Sequence, residues 1–320
     1  MAKPKMALYW AASCGGCEVA ILDINEKILD VAAIADIVFW PIALDFKYHH
    51  VEAMQDGEIL VCLFNGAIRN EEQKGVAELL RRKSQVMVAH GACACWGGIP
   101  GLANVANREQ VFDRAYLSSP STDNPEGTVP QTRTRMPEGE LRLPDFFDTV
   151  YALNQVVPVE YYMPGCPPVA EQTLAVAEAL MTGALPPVGS VVGAGSKTVC
   201  DECKRTKSDE KKVKQFRRIH LVGDLDPDKC LLEQGVICMG PATRSGCGGQ
   251  CTGIGMACEG CYGPAAGVTD QGAKMLSALA AVIDSDDPEE VQGIVDGIGD
   301  LLGYLYRFAL PHSSLKRVRI

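Results

Sequence analysis

The sequence predicts an α/β fold built around a doubly wound parallel sheet, and two observations carry this prediction. In the first half of the chain, short runs rich in β-branched residues alternate with segments whose apolar residues have helical spacing. The 320 residues are 47% hydrophobic and 22% charged, which is enough apolar material for a packed core. Alternation of this kind is typical of βαβ units, whose strands run parallel.

The predicted elements of the first half follow one another in that rhythm. Strands are predicted at residues 6–10, 34–40, 58–64, 85–90 and 157–162. Helices are predicted at residues 19–29, through Val76, Leu79 and Leu80, and at residues 169–181. Residues 118–145 are rich in Pro, Ser, Thr, Gly and Glu without periodicity, so we expect an extended surface loop there.

A second region follows a linker that is rich in Gly and Val, at residues 189–196. The expected division is therefore a first domain at residues 1–188 and a second at residues 189–320. The second domain has little strand or helix pattern as far as Cys261, and helices are predicted only at residues 273–283 and 291–308. We expect bound metal to organise its first part.

Composition and charge exclude several functions. The net charge of −10, without a basic domain, argues against a nucleic-acid partner. The first residues lack a long apolar stretch, and no run of 18 uncharged apolar residues occurs, so we expect a cytoplasmic chain without a membrane span. In that reducing compartment, the 14 cysteines are expected to be metal ligands or catalytic thiols rather than disulfides.

Three cysteine motifs come directly after predicted strands. The carboxyl ends of parallel strands form the edge at which α/β proteins bind ligands. Four thiols should meet there, and they could hold either zinc or a [4Fe–4S] cluster. Nearby glycines favour the cluster, because they leave space and expose N–H groups to its sulfides. The thiols are Cys14, Cys17, Cys93 and Cys166, and the glycines are Gly15, Gly16, Gly97, Gly98 and Gly165.

Eight further cysteines lie between residues 200 and 261, enough for two more sites with four ligands each. Zinc ribbons are the alternative, but they usually repeat two CxxC pairs, whereas here each CxxC is matched with a differently spaced pair. The spacing therefore favours clusters. The eight are Cys200, Cys203, Cys230, Cys238, Cys247, Cys251, Cys258 and Cys261.

The remaining features give weaker signals. Cys62 and Cys95 are expected to pack in the core as small apolar residues. Residues 204–218 contain eight Lys or Arg and two acidic residues, which fits a solvated loop or a docking patch for an acidic partner. No nucleophile triad, Walker loop or GxGxxG motif occurs, so no complete catalytic site is expected in this chain alone.

Taken together, the motifs resemble a known family. Cys14-x2-Cys17-Glu18, then GACACWGGIPG at residues 91–101 and PGCPP at residues 164–168, are similar to the first domain of [NiFe]-hydrogenase small subunits. CLLEQGVICMGPATRSGCGGQC at residues 230–251 and CEGCYGP at residues 258–264 resemble the cytoplasmic group 3 enzymes, in particular the gamma subunits of F420-non-reducing (methyl-viologen-type) hydrogenases. The resemblance covers residues 5–265.

The resemblance implies a flavodoxin-like domain and three [4Fe–4S] clusters. Its implied ligands are Cys14, Cys17, Cys93 and Cys166 for the proximal cluster, Cys247, Cys251, Cys258 and Cys261 for the medial one, and Cys200, Cys203, Cys230 and Cys238 for the distal one. Periplasmic relatives commonly have a histidine and a proline where this chain has Cys200 and Cys251. The added thiolates predict low reduction potentials throughout.

The resemblance also implies partners. The nickel–iron centre, which splits H2, belongs to a separate large subunit in this family, and this chain would relay electrons to a low-potential cytoplasmic acceptor module. A [2Fe–2S] adaptor with a heterodisulfide-reductase-type iron–sulfur flavoprotein is the implied acceptor, and F420, NAD(P) or polysulfide modules are alternatives. Three other hypotheses stay open: a zinc-stabilised interaction module, an FMN enzyme, and a related complex whose large subunit has lost its nickel site.

Overall fold

The computed structural model describes residues 3–208, 210 and 212–315, and strands alternate with helices as far as residue 182. In chain order the elements are β1 (Lys5–Trp10), α1 (Gly16–Leu22), α2 (Lys27–Ile34), β2 (Asp36–Phe39), α3 (Tyr48–Glu52), β3 (Ile59–Asn65), β4 (Ile68–Asn70), α4 (Glu71–Lys83), β5 (Ser84–His90), α5 (Gly91–Trp96), α6 (Arg108–Phe112), β6 (Arg133–Met136), β7 (Gly139–Arg142), β8 (Phe146–Tyr151), β9 (Tyr161–Met163) and α7 (Ala170–Thr182).

Five parallel strands form the central sheet of the described residues, in the order β2-β1-β3-β5-β9. The second strand lies at the edge beside the first, as in flavodoxin-like folds. Successive residues of a strand point to opposite faces. Accordingly, Phe64 and Met87 are buried in one apolar cluster, and Val88 and Met163 in another. The predicted α/β fold with a parallel sheet is confirmed.

The prediction of a single helix at residues 19–29 was wrong in one respect, because the structure has two helices there. Helix α1 ends at Leu22 and α2 begins at Lys27. Between them, Asn25 has a φ of 57°, a left-handed conformation that interrupts a right-handed helix. The apolar spacing continues across the break, and for that reason periodicity alone could not detect it.

The stretch at residues 118–145 is exposed, as expected, but it is not only a loop. Strands β6 and β7 pair antiparallel from Arg133 with Arg142 to Met136 with Gly139. Every residue of both strands is exposed, so no alternation of apolar and polar residues marks this hairpin in the sequence. A second antiparallel pair, β4 with β8, was also not predicted.

The second region has its own core but few long elements. Its helices are α8 (Val199–Glu202), α9 (Gln250–Gly253), α10 (Gln271–Val282), α11 (Pro288–Asp296) and α12 (Leu301–Leu305). The helix predicted at residues 291–308 is thus two helices, because Asp300 caps a new one by accepting a hydrogen bond from the Gly303 N–H at 2.9 Å. Leu232, Met239, Met275 and Leu279 pack together in this core.

Two segments connect the second region to the sheet domain through direct contacts. The segment expected as a linker extends the edge of the sheet beyond β9, since the Val192 N–H donates to the Tyr162 carbonyl at 2.8 Å. The tail packs against the loop after α5, where a Cβ added to Gly97 would lie 2.3 Å from Pro311 Cγ. Within the described residues, no helix combines the length and apolar character needed to cross a membrane.

Candidate functional site

The carboxyl-terminal edge of the sheet carries the first four predicted ligands. Asn65, His90 and Met163 end β3, β5 and β9 and are neighbours in register, so these strands stop at one level. The loops that follow β1, β5 and β9 meet at this edge. They bring together what we call the rim group, which consists of Cys14, Cys17, Cys93 and Cys166.

The thiols of the rim group influence one another's ionisation. Burial raises the pKa of the Cys17 thiol, and charges on Cys93, Cys166 and Cys14 raise it further. Burial, with the charges of Cys166 and Cys14, also raises the pKa of Cys93 to about 12. The thiols are therefore near enough for their charges to interact, and four thiolates held here together would need a compensating cation, as in a metal-ligand set.

Two glycines keep space open beside these sulfurs. A Cβ added to Gly91 would lie 2.2 Å from Cys17 Sγ, and one added to Gly98 would lie 2.5 Å from Cys93 Sγ. Both glycines also have positive φ, 83° and 58°, which side chains other than glycine rarely adopt. The rim group therefore fits a bulky inorganic group better than side chains packed directly on the sulfurs.

A second set of four thiols, which we call the cavity group, lines a cavity of about 320 Å³. Burial raises the pKa of the Cys200 thiol to about 11, with Lys207 opposing the shift and neighbouring thiolates adding to it. Gly240 again provides clearance, since a Cβ there would lie 3.1 Å from Cys200 Sγ. The members of the cavity group are Cys200, Cys203, Cys230 and Cys238.

The last four cysteines form the middle group: Cys247, Cys251, Cys258 and Cys261. Burial raises the pKa of Cys261 to about 12, and charges on Cys166 of the rim group and on Cys247 and Cys251 contribute. Burial also raises the pKa of Cys258 well above its ordinary value, and its charged neighbours are Cys238 and Cys261. Cys258 therefore lies between the cavity group and the rest of the middle group.

Neighbouring residues connect the three groups in series. The Cys258 N–H donates to Cys238 Sγ at 3.3 Å, from the middle group to the cavity group. Cys166 of the rim group affects the pKa of the Cys261 thiol in the middle group, which its charge raises and its backbone lowers. The rim, middle and cavity groups therefore follow one another in that order through the molecule.

The thiols are not arranged around single points. Among residues 3–208, 210 and 212–315, no three Cys, His, Asp or Glu side chains are close enough to ligate one metal ion. The two other cysteines are completely buried in the core of the sheet domain. Cys62 lies on β3, and the thiol of Cys95 is 3.2 Å from the Ala89 carbonyl.

Sequence reasoning missed two buried polar side chains that lie close in sequence to members of the rim group, Glu18 after Cys17 and His90 before Cys93. Glu18 is 1% exposed and accepts hydrogen bonds from Trp40 Nε1 at 2.5 Å and Asn65 Nδ2 at 3.4 Å. Burial raises the pKa of Glu18. His90 is completely buried, neither ring nitrogen has a partner among the described residues, and burial lowers its pKa to about 4. The only sequence signal was the acidic residue directly after Cys17.

The basic stretch at residues 204–218 does not form one patch. Arg205 and Lys207 line the cavity beside the cavity group. Lys214 instead lies 3.7 Å from an Asp284 carboxylate oxygen. Asp209 and Lys211 lie outside the described residues.

Comparisons with known proteins agree with this architecture. Residues 14–180 match the family model described as NADH ubiquinone oxidoreductase, 20 Kd subunit. The iron-sulfur subunit of the F420-non-reducing hydrogenase of Archaeoglobus profundus is 39% identical over 318 residues, 98% of each chain. The corresponding F420-non-reducing hydrogenase subunit of Methanothermobacter marburgensis is 38% identical over 319 residues, 98% of this chain and 96% of that one.

A solved chain of an NAD+-reducing [NiFe]-hydrogenase in the H2-reduced state is 30% identical, with a TM-score of 0.49 over 57% of this chain and 93% of that chain. The two full-length relatives and the family model are sufficient to assign the family. The chain belongs to the NADH ubiquinone oxidoreductase 20 kDa subunit family and, within it, to the hydrogenase small subunits.

Proposed function

We propose that the chain is the electron-transfer subunit of a cytoplasmic [NiFe]-hydrogenase of group 3, equivalent to the gamma subunit of F420-non-reducing enzymes. The observation that carries the proposal is the series of three groups of four cysteines, in which the Cys258 N–H donates to Cys238 Sγ and Cys166 affects the pKa of Cys261. Each group would hold one [4Fe–4S] cluster, which would take up and release one electron at a time.

The residues present fit such clusters. In the rim group, Gly91 and Gly98 clear the space beside two sulfurs, and in the cavity group Gly240 does the same beside Cys200. Backbone groups favour the thiolate form of two sulfurs: Ile99 lowers the pKa of Cys93, and Gly240 and Cys258 lower the pKa of Cys238, to which the Cys258 N–H donates at 3.3 Å. These contacts are the protein's contribution to the potentials of iron–sulfur groups.

The order of the groups gives the proposed direction. The rim group lies at the edge of the sheet, where Cys14 and Cys166 are exposed and can face a large-subunit partner with the nickel–iron centre. The cavity group lies at the other end of the series, and an acceptor module would dock there. A [2Fe–2S] adaptor with a heterodisulfide-reductase-type flavoprotein is the acceptor we favour, because both full-length relatives above are named F420-non-reducing.

Anoxic affinity purification from the native host tests the proposal. We expect a co-purifying large subunit with nickel, about twelve iron atoms and as many sulfides per copy of this chain, and H2-dependent reduction of viologen. Two or three zinc atoms without sulfide would instead support the zinc-stabilised module. A large subunit without nickel, together with intact clusters and no viologen reduction, would support a related electron-transfer complex with different chemistry.

A further inference from the structure

Two cationic side chains line the cavity that the four thiols of the cavity group share. Arg205 is held there by backbone carbonyls, since its Nε donates to Thr252 at 3.0 Å and its Nη1 donates to Asp226 at 3.1 Å and Lys229 at 2.9 Å. Carbonyl oxygens orient a guanidinium without neutralising it. Among the described residues, Arg205 has no carboxylate partner, so its full charge remains beside the cavity.

Lys207 is fixed still closer to one ligand. Its ammonium donates to the Cys200 carbonyl at 2.7 Å. Burial raises the pKa of the Cys200 thiol, and the charge of Lys207 is the largest effect that lowers it. The ammonium therefore favours negative charge at Cys200, and it would favour negative charge on any group that this sulfur binds.

The acids near the cavity offset these cations only in part. Glu233 also lines the cavity, and its carboxylate accepts a hydrogen bond from the Ser208 N–H at 2.7 Å. Asp201 accepts from the Thr198 N–H at 2.9 Å. Among the described residues, two cationic side chains and one carboxylate thus line the cavity itself, an excess of positive side-chain charge over carboxylate charge.

An acid acts on cysteines of the other two groups. The Glu259 carboxylate adds to the effect of burial in raising the pKa of Cys166, in the rim group, and of Cys251, in the middle group. Glu259 forms an ion pair with Arg307, which partly offsets it. An acid therefore acts on the rim and middle groups, whereas Lys207 acts on the cavity group and Arg205 lies where the cavity meets Thr252, next to Cys251.

We propose that Lys207, supported by Arg205, raises the reduction potential of the cluster held by the cavity group above the potentials of the other two, so that electrons collect at this end. Reduction adds one negative charge to a cluster, and a fixed cation nearby stabilises the reduced form. Thiolate ligation would keep all three reduction potentials low, and the two cations would make the potential highest at the cavity group, where electrons leave the chain. The inference rests on the proposed function, because it requires clusters in all three groups.

Potentiometric titration of the anoxically purified complex, followed by EPR, tests the inference. Lys207→Met removes the charge but keeps the length of the side chain, and we expect it to lower the midpoint potential of a single component. That component should be the one that Cys200→Ser alters or removes. Lys207→Arg should keep the wild-type potential. Glu233→Gln removes an acid from the same cavity and should shift the same component upward.

Lys214→Met is the matched control, since it removes a lysine of the same basic stretch that does not line the cavity, and it should shift nothing. Unchanged potentials in both Lys207→Met and Glu233→Gln would overturn the inference, as would equal shifts of all components. If Lys207→Met fails to assemble, Glu233→Gln decides. Wild-type protein without iron and sulfide would instead overturn the proposed function.

Discussion

The rim group and the eight cysteines of the second region present the same thiol side chains on two different scaffolds. The rim group lies on the ends of paired strands whose core residues, such as Phe64 and Met87, are completely buried. Between residues 199 and 265 the longest helices described, α8 and α9, have four residues each. A sheet holds its cysteines in place through its own strands and core, whereas a segment of short turns depends for its structure on what its cysteines bind.

Removal of iron should affect the two scaffolds differently, and this difference is the largest effect expected. After anoxic treatment with a chelator, amide hydrogen exchange should become fast across residues 199–265, while β3 and β5 keep their protection. The reason is that cluster binding contributes folding free energy mainly to the region with few hydrogen-bonded elements. Reconstitution with iron and sulfide should restore protection. Loss of protection in both regions together would contradict the comparison.

Substitution of one glycine should empty the rim group alone. Gly91→Ala places a Cβ 2.2 Å from Cys17 Sγ at a positive φ, so we expect loss of about a third of the iron, with the other two groups still loaded. Gly75→Ala, on α4, is the control because a Cβ there meets nothing within 4 Å. Iron analysis and EPR measure the outcome. A fully loaded Gly91→Ala chain would refute the role of this clearance.

The sheet domain should lose stability in mild acid through His90. Burial lowers its pKa to about 4, below the value of about 6.5 in an unfolded chain, so the unfolded state binds the proton first as pH falls. The free energy of unfolding should therefore decrease by about 2 kcal/mol between pH 6.5 and 5. In His90→Phe this slope should flatten, and in His220→Gln, at an exposed position, it should remain. Denaturant titration at several pH values gives the answer.

An effect of similar size concerns the helix cap that joins the tail to the second region. Asp270 accepts hydrogen bonds from the Ala273 N–H at 2.9 Å and the Ser314 N–H at 2.8 Å. Asp270→Ala should lower the free energy of unfolding by about 2 kcal/mol, since it leaves two donors unpaired. Asp287→Ala removes a cap with one such bond and should cost about 1 kcal/mol. Equal losses would show that the tail contact contributes nothing.

Much of the sheet domain could be predicted because its signals are local. The apolar runs of β1, β3 and β5 mark strands within a residue or two of their observed bounds. The break at Asn25 and the exposed β6–β7 hairpin could not be predicted, since neither changes the apolar pattern. The cysteine spacing likewise predicted which residue types would act as ligands, but it contained no measure of the space beside Cys17 and Cys93.

The sequence by itself determined the alternation of strands and helices, the positions of the cysteines and the resemblance that grouped them. Only the tertiary structure decided that Cys258 lies between two groups, that Cys166 lies near enough to Cys261 to affect its pKa, and that His90 is buried without a partner among the described residues. It also separated Lys207, at the cavity, from Lys214, at Asp284. The physical reason is distance along the chain: propensity and spacing act over a few residues, whereas these contacts depend on how distant loops pack.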